Sequence, residues 1–141
     1  MDFEWDSAKS ERNERERGLP FELSVLLFDD AVIERVDERR SYGETRIRAI
    51  GAVGSMTLHC VYTQRGEVRR IISLRYANRK ERDVYRAIRA DIDKANLLAE
   101  LAAKPRPGEE EIEAQVMEDG DAWTDEELDD AELVYPPPSA D

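Results

Sequence analysis

The spacing of apolar positions changes period twice along the chain, and the changes mark its elements. From residue 7 to about 16 every position but Ala8 is polar. Asp6 ahead of this stretch fits a helix N-cap, and Gly18 followed by Pro20 supplies a stop. A helix of that composition has to lie on the surface, held by Phe3 and Trp5 at its entrance. Phe21, Val25 and Phe28 fall on one face of a second, short helix that Asp29-Asp30 closes.

A period of two follows. Residues 31–36, 45–53, 56–63 and 68–76 read as four strands, separated by the charged turn 37–43, by Gly54-Ser55 and by a hairpin loop with Gly66 at its tip. Connections this short predict an antiparallel meander. The helical period returns after Asn78, which forms a capping box with Glu81. Val84, Ile88, Ile92, Ala95 and Ala99 mark the apolar stripe of a long helix over about 79–103. Pro105, Pro107 and Gly108 break it.

The expected architecture is α+β. A small antiparallel sheet of about four strands, flanked by two N-terminal helices and one long C-terminal helix, occupies residues 1–103. A Pro/Gly linker spans 104–108, and an acidic tail over 109–141 is extended or forms short helices. Two amphipathic pieces are legible in the tail: Ile112, Val116 and Met117, then Leu128 and Leu133 behind a Thr124–Glu127 capping box. So acidic a segment cannot fold alone and orders only against a partner surface.

Charge makes the division sharper. The net charge is −12. Residues 1–96 carry 19 Lys+Arg against 18 Asp+Glu, a net of +1, whereas residues 97–141 carry 2 against 15, a net of −13. Between Arg35 and Lys94 the count is 15 basic to 8 acidic, a net of +7. A locally basic domain is thus joined to a strongly acidic extension. No apolar run approaches the roughly 18 residues of a membrane span, and the acidic N-terminus lacks the features of a signal peptide. A soluble, cytoplasmic protein without membrane contact is expected. The single cysteine, Cys60, excludes an intrachain disulfide and a multi-cysteine zinc site, and reads as a buried core thiol. Gly51 and Gly54 make no phosphate loop, because no Lys-Ser or Lys-Thr follows.

Strand alternation sorts the polar residues that could carry chemistry. On the fourth strand Arg69, Ile71, Ser73 and Arg75 share a face, opposite Arg70, Ile72 and Leu74. Arg46 and Arg48 on the second strand and His59 on the third oppose the apolar positions there. If those apolar positions pack against helices, the other face gathers Arg46, Arg48, His59, Ser73 and Arg75. Arginines and hydroxyls on one sheet face suit a phosphodiester backbone, although a solvated face of an arginine-rich protein has the same pattern.

Several stretches resemble the BrnT toxins. They are Phe3-Glu4-Trp5-Asp6 with Lys9 and Asn13, Phe21-Glu22 and Val25 to Asp30, Gly43-Glu44 with Arg46 leading to Ile50-Gly51, and Arg70-Ile71-Ile72-Ser73 with Arg75, Ala77, Arg79, Glu81 and Tyr85. The resemblance implies a RelE-like fold, RNA as substrate, a ribonuclease that needs no metal or other cofactor, and a BrnA-type antitoxin as partner, with DNA reached only through that antitoxin. Residues 121–128 are similar to the acidic segment that precedes the DNA-binding part of such antitoxins. One departure stands out: where the family often has Lys-His-Gly, this chain has Glu16-Arg17-Gly18.

The leading expectation is therefore an endoribonuclease toxin of a type II system, restrained by its own tail. Residues 109–135 would lie on the basic sheet face in place of RNA, anchored by Trp123, Leu128 and Leu133. Arg46, Arg48, Arg75 and Arg79 are the candidates for phosphate stabilisation, Ser73 for phosphate positioning, and Glu44, Glu81 or His59 for the base. The competing reading is a catalytically inactive, toxin-like interaction module that sequesters an antitoxin or mimics nucleic acid.

Overall fold

A computed structural model describes residues 2–39, 41, 43–90 and 107–134. The expected helix continuation over 91–103, with Ile92, Ala95 and Ala99, and most of the linker lie outside the described residues. Asp6 caps the first helix, α1 (Ser7–Arg17), as its carboxylate accepts from the backbone N–H groups of Ala8 and Lys9. Gly18, at φ 73°, ends α1 with its N–H on the Glu14 carbonyl. Helix α2 (Leu23–Leu27) follows.

Its buried face differs from the expected one. Val25 is exposed, and Leu27 points inward instead, beside Phe21 and Phe28. Leu27 fits because Gly51 leaves room: a Cβ there would lie 2.7 Å from the Leu27 side chain and 2.8 Å from that of Val32.

The expected meander is present as β2 (Val32–Val36), β3 (Arg46–Val53), β4 (Met56–Arg65) and β5 (Val68–Tyr76), all antiparallel neighbours. The sheet has six strands rather than four, and it is mixed. β1 (Asp2–Glu4) adds in parallel to β5 at one edge, and β6 (Leu133–Val134), from the tail, adds to β2 at the other. Segments of three and two residues are too short to show a period.

β5 also departs from the expected alternation. Val61 pairs with Ser73 but Tyr62 pairs with Ile71, so Ile72 is an extra residue in a β-bulge. The bulge reverses the alternation. Ile71 joins Leu74 in the core on the α2 side, and Arg69 lies over the rings of Phe28, Tyr62 and Phe3. Ser73 and Arg75 face the other way, so the four residues expected on one face divide two and two.

The sheet separates two cores. One side holds Leu19, Phe21, Leu27, Phe28, Leu58, Cys60, Tyr62 and Leu74. On the other, Ile33, Ile50 and Ala52 meet Ala77 and Tyr85 of the following segment together with Trp123 and Leu128 of the tail. Helix α3 (Arg79–Ala90) opens on the expected capping box, with Asn78 Oδ1 accepting from Glu81 N–H and Glu81 Oε1 from Asn78 N–H, each at 2.9 Å. The tail forms α4 (Glu109–Asp119) and α5 (Asp125–Asp129), the latter with the expected Thr124–Glu127 box. Ile112 and Val116 are buried, but Met117 is 82% exposed, outside the face expected for it. No helix among the described residues is long and apolar enough to cross a membrane.

Candidate functional site

Alternation on β3 and β4, and on β5 beyond its bulge, directs Arg48, His59 and Arg75 to one sheet face. Arg75 is 0% exposed and every arm of its guanidinium is engaged. It pairs with Glu81 at 2.9 and 3.2 Å, with Asp121 at 2.6 and 2.8 Å, and donates to the Tyr76 carbonyl at 3.0 Å. Glu81 also accepts from the Trp123 backbone N–H at 3.1 Å. Arg48 pairs with Glu127 at 2.5 Å and has the Trp123 ring 5.7 Å away.

His59 lies beneath this network. Neither ring nitrogen has a hydrogen-bond partner among the described residues, and Asp121 Oδ2 stands 3.5 Å from Nδ1. Burial first, then the charges of Arg75, Arg48 and Arg39, push the imidazole well below its ordinary pKa of 6.5. It is neutral at pH 7, so its approach to Asp121 is not an ion pair. Burial raises the Asp121 carboxyl, against the opposing pull of Arg75. Glu127 is held below its usual value: burial would raise it, but the Thr124 N–H and the charges of Arg48 and Arg35 outweigh that. The Cys60 thiol, on the opposite face, is pushed well up by burial and is a core group.

The tail therefore crosses the arginine-bearing face. Among the described residues, seven cationic side chains of the body hold it: Arg17, Arg35, Arg39, Arg48, Arg75, Lys80 and Arg82. They are unequal. Lys80–Asp125 is 71% and 77% exposed, where an ion pair contributes little, whereas Arg75–Asp121 is shielded from solvent. Gly120, with φ 62° and its N–H on the Val116 carbonyl at 2.8 Å, ends α4 in a left-handed turn that leaves Asp119 and Asp121 both near Arg75.

Of the expected site residues, Arg48, His59, Arg75 and Glu81 come together. Arg46 and Ser73 line an adjoining cavity of about 270 Å³ with Arg17, Arg39 and Asp119. Glu44 is turned to Arg65 and Arg46, at 3.4 and 4.0 Å, and Arg79 is exposed at the start of α3, with no ion pair to the network among the described residues. Arg17 and Arg39 escaped the sequence reading because α1 has no apolar stripe and Arg39 lies in a charged turn. The one signal at Arg17 was its place in the Glu16-Arg17-Gly18 departure.

Among the described residues no three His, Cys, Asp or Glu side chains group as a metal site. No curated protein matches the chain. The family model of the ribonuclease toxin, BrnT, of type II toxin-antitoxin systems matches residues 5–81, more than half of the sequence and all four meander strands, and the chain belongs to that family.

Proposed function

We propose that this protein is a metal-independent endoribonuclease whose RNA site is the face bearing Arg48, His59 and Arg75, and that its own tail restrains it. The supporting observation is Asp121: a tail carboxylate sits on the buried Arg75 and within 3.5 Å of His59, where a phosphate would have to lie. Cleavage of this type needs a base for the ribose 2′-hydroxyl and cations around the crowded phosphate.

His59 is the base in this reading. Glu81 is occupied by Arg75 and by the N-terminus of α3, and Glu44 stands with Arg65 and Arg46, whereas the His59 imidazole is neutral with open nitrogens, and it gains basicity once a bound phosphate offsets the charges of Arg75 and Arg48. With the tail displaced, His59 removes the 2′-hydroxyl proton, the 2′-oxygen attacks phosphorus, and the leaving 5′-oxygen departs with a proton from solvent. Arg48 and Arg75 carry the developing charge, Glu81 orients Arg75, and Ser73 and Arg46 hold the neighbouring phosphate. A separate BrnA-like antitoxin would have to displace the tail to reach this face.

The test is RNA cleavage by a chain whose tail is loosened by Asp119→Asn, Asp121→Asn and Glu127→Gln. Adding His59→Gln to that chain should lower the rate by about 10²–10⁴-fold, the usual contribution of a general base. An unchanged rate removes His59 from the chemistry, and no cleavage by the loosened parent favours the inactive interaction module.

A further inference from the structure

The cavity beside the docked tail has a wall built of cations. The body contributes Lys9, Arg12, Arg17, Arg39 and Arg46 against two carboxylates, Glu16 and Asp37. The tail adds Glu118, Asp119 and Asp121, which balance the wall charge for charge. Two of the cations also hold the tail. Arg17 grips Asp119 with both nitrogens of its fork, at 2.6 and 3.0 Å, and Arg39 donates to the Gly120 carbonyl. Lys9 and Arg12, by contrast, are exposed and form no ion pair among the described residues. Ser73 and Asn13 also line the cavity, with Phe21, Val61 and Ile72 as its apolar part.

We propose that this cavity is a phosphate-binding site that stays reachable while the tail is docked, and that a phosphate seated there competes with Asp119 and Gly120 for Arg17 and Arg39 and so loosens the tail. The space suffices: roughly 270 Å³ is several times the ~30 Å³ share of one water. The chemistry suits the ligand, because an arginine fork binds phosphate and carboxylate alike, so a phosphate can take the place of the tail carboxylate on the same donors. Lys9 and Arg12 are the first cations an incoming anion meets. Arg17 and Arg39 are the ones whose transfer from tail to ligand couples binding to release. Coupling of this kind is reciprocal, so a weakened tail raises the affinity for phosphate.

The inference rests on the tail being the restraint proposed above, but its test needs no cleavage. Inorganic phosphate and a short single-stranded RNA are titrated into the full-length chain, with sodium chloride at matched ionic strength as control. Binding is read by calorimetry, and tail release by amide hydrogen exchange across residues 109–134. Either phosphate source should bind and speed exchange in the tail several-fold, with chloride without effect. Binding of the RNA at least tenfold tighter than inorganic phosphate assigns the site to the RNA backbone, and equal binding assigns it to free phosphate. In the Lys9→Ala/Arg12→Ala chain, which keeps every contact to the tail, both responses should weaken at least tenfold. No binding of either ligand overturns the site, and binding with unchanged tail exchange overturns the competition. If phosphate fails to bind while the tail-loosened chain cleaves RNA, this inference falls and the proposed function stands.

Discussion

Arg75 is where the body and the tail meet, and its burial changes what its substitution does. The alternation of β5 alone suggests that Arg75→Ala leaves the fold intact. In the structure the same change leaves Glu81 and Asp121 buried without their cation. Removing one partner of a buried pair typically costs about 3–5 kcal/mol. Arg75→Ala is thus expected to lower the urea midpoint markedly, and lost activity in that variant says little about catalysis unless folding is measured beside it. An unchanged midpoint would mean that the network contributes nothing to stability.

His59 gives a pH signature at the same scale. An unfolded imidazole binds a proton near pH 6.5, but the folded one, buried and facing Arg39, Arg48 and Arg75, resists it. The stability is full above pH 6.5 and falls as the pH drops below that value. Asp121, the carboxylate that faces the ring, acts in the opposite sense, because its raised pKa makes protonation easier in the folded chain. In His59→Gln the loss of stability between pH 7 and 5.5 should shrink. An equal loss in both proteins would place the sensitivity elsewhere.

At the scale of elements, close approach decides the packing of α2 on the sheet. Gly51→Ala drives a methyl into Leu27 and Val32 and is expected to cost about 1–3 kcal/mol, the range for overpacking a core, measurable as a fall in melting temperature. No fall would mean that α2 shifts freely. Such contacts explain what the sequence made legible. The four meander strands and α3 follow from period and capping, because their apolar faces and caps are local features. Helix α1 also came from its caps, and Phe3 and Trp5 at its entrance pack against the first core as expected, but the anchors along the helix itself are polar and left no apolar signal. Ser10 accepts from the Phe21 N–H, Asn13 donates to the Leu19 and Leu74 carbonyls, and Arg17 to that of Leu74. The bulge at Ile72 was equally hidden, because one extra residue leaves no mark in the composition of β5, yet it decides which arginines reach the site. Arg48, His59 and Arg75 were found because alternation holds on their side of it.

For the molecule as a whole, the division of charge between body and tail has a structural counterpart, and apolar contacts add to it. Trp123 and Leu128 complete the second core beside Ile33, Ile50 and Tyr85, so the tail is more than a polyanion laid on a basic surface. Cutting the chain before the tail would expose that core, which makes point substitutions the better probe. Trp123→Ala removes a buried side chain of a kind that costs about 3–5 kcal/mol. It should speed hydrogen exchange in residues 109–134 far more than in β3 and β4. Uniform acceleration would show that tail and body unfold as one unit.

Whether the tail holds a competent ribonuclease in check is decided by one ratio of rates. RNA cleavage is measured for the full chain and for the Asp119→Asn/Asp121→Asn/Glu127→Gln chain, which keeps Trp123 and Leu128 but loses the carboxylates on Arg17, Arg75 and Arg48. Each 1.4 kcal/mol of lost docking shifts the closed-to-open ratio tenfold. The substituted chain, still folded, is expected to cleave at least about tenfold faster than the parent. Equal rates in two folded proteins, with the tail freed in the variant, would contradict restraint by the tail.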